Sequence, residues 1–195
     1  MTPDSPHTHA NLSIDFYTFW KEQQEWKTYY KQHVDWKEVV TPFNPAHVTP
    51  AGYDFSVGSI SRIGSRGELF RDDKILPIYF EMKHEVFPDD LVSDMYYLRG
   101  VGSYIVTFNE TVKIPEGFTG LMWSRSSLIR MGANLHTAIW DSGYEGKSSS
   151  LLVVNTPYSI RIQQDARIGH MILVPVATDQ YGQSYNGSYQ KEGVA

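Results

Sequence analysis

The chain of 195 residues contains no cysteine, which excludes disulfides, thiolate zinc sites and cysteine nucleophiles. No apolar run approaches the roughly 18 residues of a membrane-spanning helix, and residues 1–9 lack the apolar core of a signal peptide. We therefore expect a soluble cytoplasmic protein with no membrane partner. Neither a GxGxxG nor a Walker A sequence is present, so these two glycine-rich nucleotide-binding loops are excluded.

Positive charge is also scarce, since 17 lysines and arginines face 22 aspartates and glutamates, for a net charge of −5. A surface that coats nucleic acid is basic, so this balance predicts no nucleic-acid partner. A single phosphorylated metabolite needs only a local basic pocket, and that class of ligand stays open. Hydrophobic residues make up 41% of the chain, which is enough for a globular domain with a sizeable core.

Composition divides the chain into three parts. Residues 1–38 are predicted to form an N-terminal arm and a helical extension, because residues 12–38 lack glycine and proline and carry apolar side chains at helical spacing. This helix is expected to pack on the domain or on a neighbouring subunit, with recognition of a partner as the alternative. Residues 179–195, rich in Gly, Gln, Ser and Tyr, are predicted to be a flexible tail that closes over a ligand.

Residues 39–178 alternate short apolar runs with turns, a pattern that is typical of strands. The predicted strands are residues 75–81, 95–98, 104–108, 120–123, 151–154, 159–162 and 170–176. No long helical pattern intervenes, so a parallel α/β sheet is disfavoured. The pattern predicts a mainly β domain of the sandwich, barrel or jelly-roll type.

The stretch at residues 120–146 carries the polar groups that point to chemistry. Arg125 offers a planar fork of donors for phosphate oxygens. Ser126 and Ser127 add hydroxyls beside it, so the triplet predicts an anion-binding nest. Arg130, three residues past Ser127, could reach the same phosphates or form a salt bridge at a subunit interface, and both interpretations stay open.

A second polar group follows in the sequence WDSGYEG at residues 140–146. Its two glycines permit a tight turn with positive φ, which is expected to present Asp141 and Tyr144 on a rim while Trp140 packs underneath. A phosphate cradle, a carboxylate and an exposed aromatic ring together predict a nucleotide site. Taken singly, Arg125 is more often a surface ion-pair residue, Asp141 a turn cap and Tyr144 a core residue.

The order of five motifs carries a family resemblance. The chain resembles the trimeric superfamily of dUTP diphosphatases and dCTP deaminases, and most of all archaeal-type dUTP diphosphatases, in AGYD (51–54), IPEGFTG (114–120), SRSSL (124–128), TAIWDSGYEG (137–146) and ARIGHMIL (166–173). The resemblance covers residues 39–193. It implies a distorted jelly roll, a homotrimer with three sites at subunit interfaces, and Mg²⁺ bound to the triphosphate. The implied reaction converts dUTP and water into dUMP and pyrophosphate, which supplies dUMP and keeps uracil out of DNA.

The resemblance also implies roles for individual residues. Asp141 would orient and deprotonate the water that attacks the α-phosphorus, Tyr144 would stack on the deoxyribose, and the backbone of residues 135–141 would read the uracil edge. Asp54 would support the metal indirectly, through water. Arg125, Ser126 and Ser127 would bind the phosphates, mostly from a neighbouring subunit, and Arg167 and His170 of the last motif would lie near them. The predicted substrate-binding set is completed by Arg130 and by Tyr189 and Lys191 of the tail.

Two of these positions admit other interpretations from the sequence. Asp54 is either a simple turn residue or a group that holds a metal-bound water or a phosphate-binding arginine. His170 stands where the family usually carries glutamine, so its role differs from the family pattern.

Deamination of dCTP is the alternative reaction within the superfamily. The deaminases carry a catalytic glutamate five residues after the last glycine of the turn, where this chain has Leu151. No carboxylate lies between Glu145 and Asp165, so deamination is disfavoured, with Glu145 as a minor candidate for the missing group. A second alternative is a non-catalytic nucleotide-binding regulator that uses the N-terminal helix to bind a partner.

Overall fold

The structure is a computed structural model that describes residues 21, 24–25, 30, 34–85, 92–176 and 184–194. The chain divides into two compact units, residues 1–35 and 36–195. In the first unit Lys21, Gln24, Glu25 and Tyr30 are helical, and residues 34–35 are not. The helix predicted over residues 12–38 is therefore interrupted at residues 34–35, and the predicted arm at residues 1–10 lies outside the described residues.

The second unit is built mainly from strands. Its described part contains a short helix α1 (Trp36–Val39), a 3-10 helix (Pro45–His47) and a second short helix α2 (Ser126–Arg130). Its strands are β1 (Val40–Thr41), β2 (Tyr53–Ile63), β3 (Glu68–Leu69), β4 (Lys74–Ile75), β5 (Tyr79–Glu81), β6 (Met95–Leu98), β7 (Gly102–Lys113), β8 (Phe118–Ser124), β9 (Ala133–His136), β10 (Glu145–Val154), β11 (Ile160–Gln163) and β12 (Arg167–Pro175).

The main sheet has the strand order β8–β12–β2–β7–β10–β9, with β1 added to β7 and β5 added to β2. All of these pairs are antiparallel. The predicted mainly β, jelly-roll-type fold is confirmed. The single strand predicted at residues 75–81 is wrong, because Pro77 cannot donate to a ladder and separates β4 from β5. In the part of the chain that the structure describes, no helix is long and apolar enough to cross a membrane.

Strand β2 lies between β12 and β7 in the sheet. Residues 53–57 at its start are all buried, so both faces of the strand are covered there. The Phe55 ring packs edge-on against Tyr53 and Phe108, with ring centroids 5.7 Å and 5.6 Å apart. This packing carries Asp54 into the interior, where an ionised carboxylate is stable only when it is paired.

Candidate active site

Asp54 is the centre of a cluster of two arginines and a histidine. Its carboxylate is 3.1 Å from Nε of Arg125, 3.3 Å from Nη1 of Arg167 and 3.0 Å from Nδ1 of His170. Only 3% of Asp54 is exposed. The cluster forms because β12 pairs with both β2 and β8, in a register that sets His170 opposite Asp54 and Trp123. The sequence-based interpretation of Asp54 as the holder of an arginine is therefore the one that these contacts support.

Arg125 is fixed by its backbone as well as by Asp54. Its amide donates to the carbonyl of Ile168 over 2.8 Å, and its extended conformation ends β8 and begins α2. The guanidinium remains partly accessible, with 32% of the side chain exposed. A planar donor fork held by a buried carboxylate and open to solvent on its other side suits an incoming phosphate.

The other residues of the predicted phosphate cradle lie on the surface of α2. Ser126, Ser127 and Arg130 are exposed, whereas Leu128 is buried and anchors the helix. Large apolar side chains flank this exposed segment, since Trp123, Ile129 and Met131 are 56%, 57% and 42% exposed. The cradle therefore sits in a surface that mixes phosphate-binding groups with unburied apolar area.

Among the described residues, no group of three or more His, Cys, Asp or Glu side chains could hold a metal ion. Both oxygens of Asp54 are already engaged by Arg125, Arg167 and His170. The residues therefore do not form a protein cage for a metal. They fit an ion that is held by phosphate oxygens and water, which is how Mg²⁺ commonly binds beside nucleotides.

Asp141 lies at the tip of a turn whose backbone is tied to neighbouring strands. Trp140 and Gly120 exchange two backbone hydrogen bonds of 2.8 Å and 3.1 Å. Gly143 adopts a φ of +77°, as the predicted tight turn requires, and its amide donates to the carbonyl of Ile114. The Asp141 side chain is exposed. A carboxylate on a rigid turn that faces solvent is able to receive a proton from water.

Trp140 and Tyr144, the two aromatic residues of the turn, are both buried to 6% exposure. The expectation that Trp140 packs under the turn is confirmed, and its indole N–H donates to Ser148 Oγ over 2.6 Å. The expectation that Tyr144 stands on an exposed rim is wrong. Inward and outward positions alternate along β10, and residue 144 continues the inward set of residues 146, 148 and 150.

The Tyr144 ring is enclosed by its own strand and by the C-terminal segment. Its hydroxyl lies 3.2 Å from Ser148 Oγ, and any side chain at Gly146 would collide with that hydroxyl. Tyr185 packs edge-on against the ring, with centroids 5.5 Å apart. Burial raises the pKa of Tyr144, and this effect exceeds the lowering that the hydrogen bond to Ser148 exerts. Tyr144 therefore remains a neutral hydroxyl at physiological pH.

The described part of the C-terminal segment, residues 184–194, pairs with the turn and with the start of β10. The amide of Lys191 donates to the Glu145 carbonyl, and the amide of Lys147 donates to the Glu192 carbonyl, each over 2.7 Å. The side chain of Gln190 accepts from the amide of Glu145 and donates to the carbonyl of Gly143, both over 3.0 Å. This segment thus covers the outer side of the turn that carries Asp141.

Two tail side chains that were predicted to bind substrate have protein partners within the same chain. The Lys191 ammonium pairs with the Glu145 carboxylate. The Tyr189 ring lies under the ammonium of Lys74, at 4.0 Å from nitrogen to centroid. The structure therefore brings together Asp54, Arg125, Arg167 and His170, and it groups Tyr189 and Lys191 with the edge of the turn.

Strand β10 bears on the deaminase alternative. Past Glu145 its side chains include no carboxylate, and Leu151 pairs with Ile105 and His136 of the neighbouring strands. Glu145, the minor candidate, is engaged by Lys191. No residue on this strand is therefore placed to shuttle a proton as the deaminase glutamate would.

Ser148 was missed by the sequence reasoning, although it lies under the turn and contacts both aromatic residues there. The signal available in the sequence was a run of three serines directly before the apolar residues 151–154. Alternation places the first and third of these serines in the interior, where each needs a reason to be polar.

Comparisons with known proteins agree with this architecture. Residues 23–176 match the family described as dCTP deaminase-like. A protein of Aeropyrum pernix named probable deoxyuridine 5′-triphosphate nucleotidohydrolase is 36% identical over 156 residues, which cover 80% of this chain and 92% of that protein. A protein of Methanosarcina mazei with the same name is 44% identical over 145 residues, which cover 74% and 81%.

A solved structure shares the fold. The 2′-deoxycytidine 5′-triphosphate deaminase of Agrobacterium tumefaciens superposes with a TM-score of 0.51 at 14% identity, over 80% of this chain and 47% of that enzyme. At this identity the likeness concerns the fold alone. Because the family match covers most of the chain and the two archaeal relatives are 36% and 44% identical to it, the chain belongs to the dCTP deaminase-like family.

Proposed function

We propose that this protein hydrolyses dUTP to dUMP and pyrophosphate. The observation that carries the proposal is the exposed carboxylate of Asp141 on a turn whose backbone is held by Gly120 and Ile114. Two relatives that are 36% and 44% identical to this chain over the aligned residues are named as probable deoxyuridine 5′-triphosphate nucleotidohydrolases. Asp141 orients a water molecule and removes its proton as the water attacks the α-phosphorus.

The cationic cluster supplies the charge that phosphoryl transfer needs. Arg125 is held by Asp54 and keeps about a third of its side chain exposed, so its free donors bind phosphate oxygens without reorganisation. Arg167 contacts the same carboxylate oxygen and extends the positive region, and the His170 imidazole contacts the other oxygen of Asp54. Ser126, Ser127 and Arg130 complete the phosphate site from the exposed face of α2.

Mg²⁺ enters this proposal as an ion carried by the triphosphate and water. When bound there, it neutralises phosphate charge. Asp54 acts on it only indirectly, because both oxygens of the carboxylate are already engaged by Arg125, Arg167 and His170. Tyr144, whose ring is buried under the turn, is proposed to support the site from within and not to stack on the deoxyribose. Tyr189 and Lys191 are proposed to line the closed tail over the nucleotide.

We also propose that the protein is a homotrimer and that each site is shared between subunits. Trp140 pairs with Gly120, and Arg125 lies five residues further along the extended chain of β8. At about 3.3 Å per residue, this separates Asp141 from Arg125 by about 16 Å within one chain. Because Asp54 holds the Arg125 guanidinium in place, a neighbouring copy is needed to bring the two groups onto one triphosphate. The exposed Trp123, Ile129 and Met131 beside Arg125 supply apolar area for such a contact.

The test is incubation of the protein with dUTP and Mg²⁺, with measurement of both dUMP and pyrophosphate. Asp141→Asn is expected to lower kcat by about 10²- to 10⁴-fold while dUTP binding persists. Asp72→Asn, which changes an exposed aspartate outside the candidate site, serves as the matched control and is expected to leave turnover unchanged. Release of orthophosphate in place of pyrophosphate, or full activity of Asp141→Asn, would reject the proposal.

Deamination of dCTP is the second candidate, and the observation in its favour is the family description itself. The absence of a carboxylate on β10 past Glu145 argues against it. Incubation with dCTP separates the two reactions, because only a deaminase produces a uracil nucleotide from this substrate. We expect none.

A further inference from the structure

The ring side chains of the turn that carries Asp141 are contacted from the inside by the Ser148 hydroxyl, while the Thr119 hydroxyl donates to the backbone carbonyl of Trp140 over 2.8 Å. Ser148 lies on β10, and its side chain points into the core with 4% exposure. The indole N–H of Trp140 donates to its Oγ over 2.6 Å, and the Tyr144 hydroxyl lies 3.2 Å from the same atom. Indole nitrogen only donates, while a serine hydroxyl accepts twice and donates once, so one serine satisfies both rings.

Trp140 and Tyr144 are the residues that anchor the turn on either side of Asp141. Trp140 immediately precedes Asp141 and exchanges backbone hydrogen bonds with Gly120. Tyr144 follows three residues later, and its amide donates to the carbonyl of Asp141 over 3.1 Å. A shift of either ring would therefore be transmitted to the Asp141 backbone.

The register of β10 shows how Ser148 comes to stand under both rings. The pairing with β7 shifts between Lys147 and Ser149, so that Ser148 alone faces residues 108–110 of β7. The extra residues of this irregularity lie on β7, so the alternation of β10 continues unbroken through residues 146, 148 and 150 and keeps Ser148 on the inward side with both rings. Ser150, the next inward serine, lies beyond the irregularity, and its buried Oγ has no hydrogen-bond partner among the described residues.

We infer that Ser148 is a positioning residue for the proposed hydrolysis, because it fixes Trp140 and Tyr144 and through them the Asp141 carboxylate. This inference rests on the proposed function. Loss of the hydroxyl leaves a buried indole N–H and a buried phenol without their shared partner. The two rings then move to find other partners, and the carboxylate loses its alignment with the attacking water. A misplacement of about 1 Å reduces turnover by about 100-fold.

The experiment compares Ser148→Ala with Ser150→Ala in the full-length protein. Both variants remove one buried hydroxyl from the same face of the same strand, and only the first removes a hydrogen-bonded one. For Ser148→Ala we expect kcat for dUTP to fall by about 10- to 100-fold. We expect the Kd of a non-hydrolysable dUTP analogue to change by less than about threefold, because the alignment acts in the transition state. For Ser150→Ala we expect both constants to stay within about twofold.

A readout that does not depend on activity is the exchange of the Trp140 indole proton with solvent, measured by NMR. We expect this exchange to accelerate by about tenfold or more in Ser148→Ala and to remain unchanged in Ser150→Ala. Ser148→Cys preserves the volume of the side chain but bonds weakly, so it is expected to behave like the alanine variant. It also replaces Ser148→Ala in the comparison if the alanine variant does not fold.

The outcomes separate this inference from the proposed function. If the unmodified protein does not hydrolyse dUTP, the proposed function fails, and the indole exchange alone decides whether Ser148 holds the turn. If the unmodified protein is active and Ser148→Ala matches Ser150→Ala in kcat and in indole exchange, the inference is overturned. A drop in kcat with unchanged exchange also overturns it, because the effect would not pass through Trp140.

Discussion

Two variants that are each inactive are expected to restore activity when they assemble together. The variants are Arg125→Ala, which removes the phosphate-binding fork, and Asp141→Asn, which removes the base. Within one chain the backbone of Gly120, which pairs with Trp140 beside Asp141, lies about 16 Å from that of Arg125 along the extended strand, and the guanidinium is held by Asp54 3.1 Å away. If a neighbouring copy closes this distance, each working site takes Asp141 from one subunit and Arg125 from another.

The expected magnitude follows from random assembly. In an equal mixture, half of the sites have an intact Asp141, and half of those receive an intact Arg125 from the neighbour. Activity should therefore recover to about one quarter of that of the unmodified protein in a closed symmetric assembly. The assay is co-expression of the two variants with different tags and measurement of pyrophosphate release from dUTP by the unselected mixture. Purification over both tags removes assemblies of one variant only, and the mixed trimers that remain should recover about one third of full activity.

A complementary mixture sharpens the result. Unmodified protein mixed equally with the double variant Arg125→Ala/Asp141→Asn should retain about one quarter of full activity if sites are shared, and about one half if each chain holds a complete site. Mixed assemblies that contain both tags, yet show no recovery for the single variants and about one half for the second mixture, would refute the reasoning.

Three further predictions concern the fold around the site. Asp54→Asn should lower the free energy of unfolding, measured by urea titration, by about 2–3 kcal/mol. This is less than the about 3–5 kcal/mol of a fully buried pair, because the arginine partners of Asp54 keep partial access to water. A loss below about 0.5 kcal/mol, the size expected for the exposed control Asp72→Asn, would contradict the prediction. Gly143→Ala should detach the C-terminal segment, since φ is +77° and the added carbon would lie 2.7 Å from Ser184 Cβ; faster proteolysis near residues 184–194 would show this, and unchanged protection would refute it. The free energy of unfolding should fall above pH 10.0, because burial raises the pKa of Tyr53, Tyr96 and Tyr144 above that ordinary value in the folded state. Their contribution to stability is complete below pH 10.0 and is lost as the pH rises through the pKa of the folded state. Urea titrations at about pH 9 and about pH 11 measure this loss, and equal free energies at the two pH values would contradict it.

The local chemistry of the site was readable from the sequence because it depends on residue type and short spacing. A glycine at residue 143 predicted a turn with positive φ, and the turn is present. Short apolar runs separated by turns predicted strands, and most of the predicted strands are present. The lack of a carboxylate after Glu145 was equally a property of the sequence.

Only the tertiary structure decided which distant residues meet. Asp54 and His170 are 116 positions apart in the chain, and their contact depends on the register between β2 and β12, which no local pattern encodes. The inward direction of Tyr144 and the place of Ser148 beneath it depend on the alternation of β10 and on its pairing with β7. A shift of one residue in that strand would turn every side chain to the other face. Local preference therefore determined that a turn, a phosphate-binding triplet and strands exist, whereas strand pairing determined which carboxylate holds an arginine and which stays free to act on water.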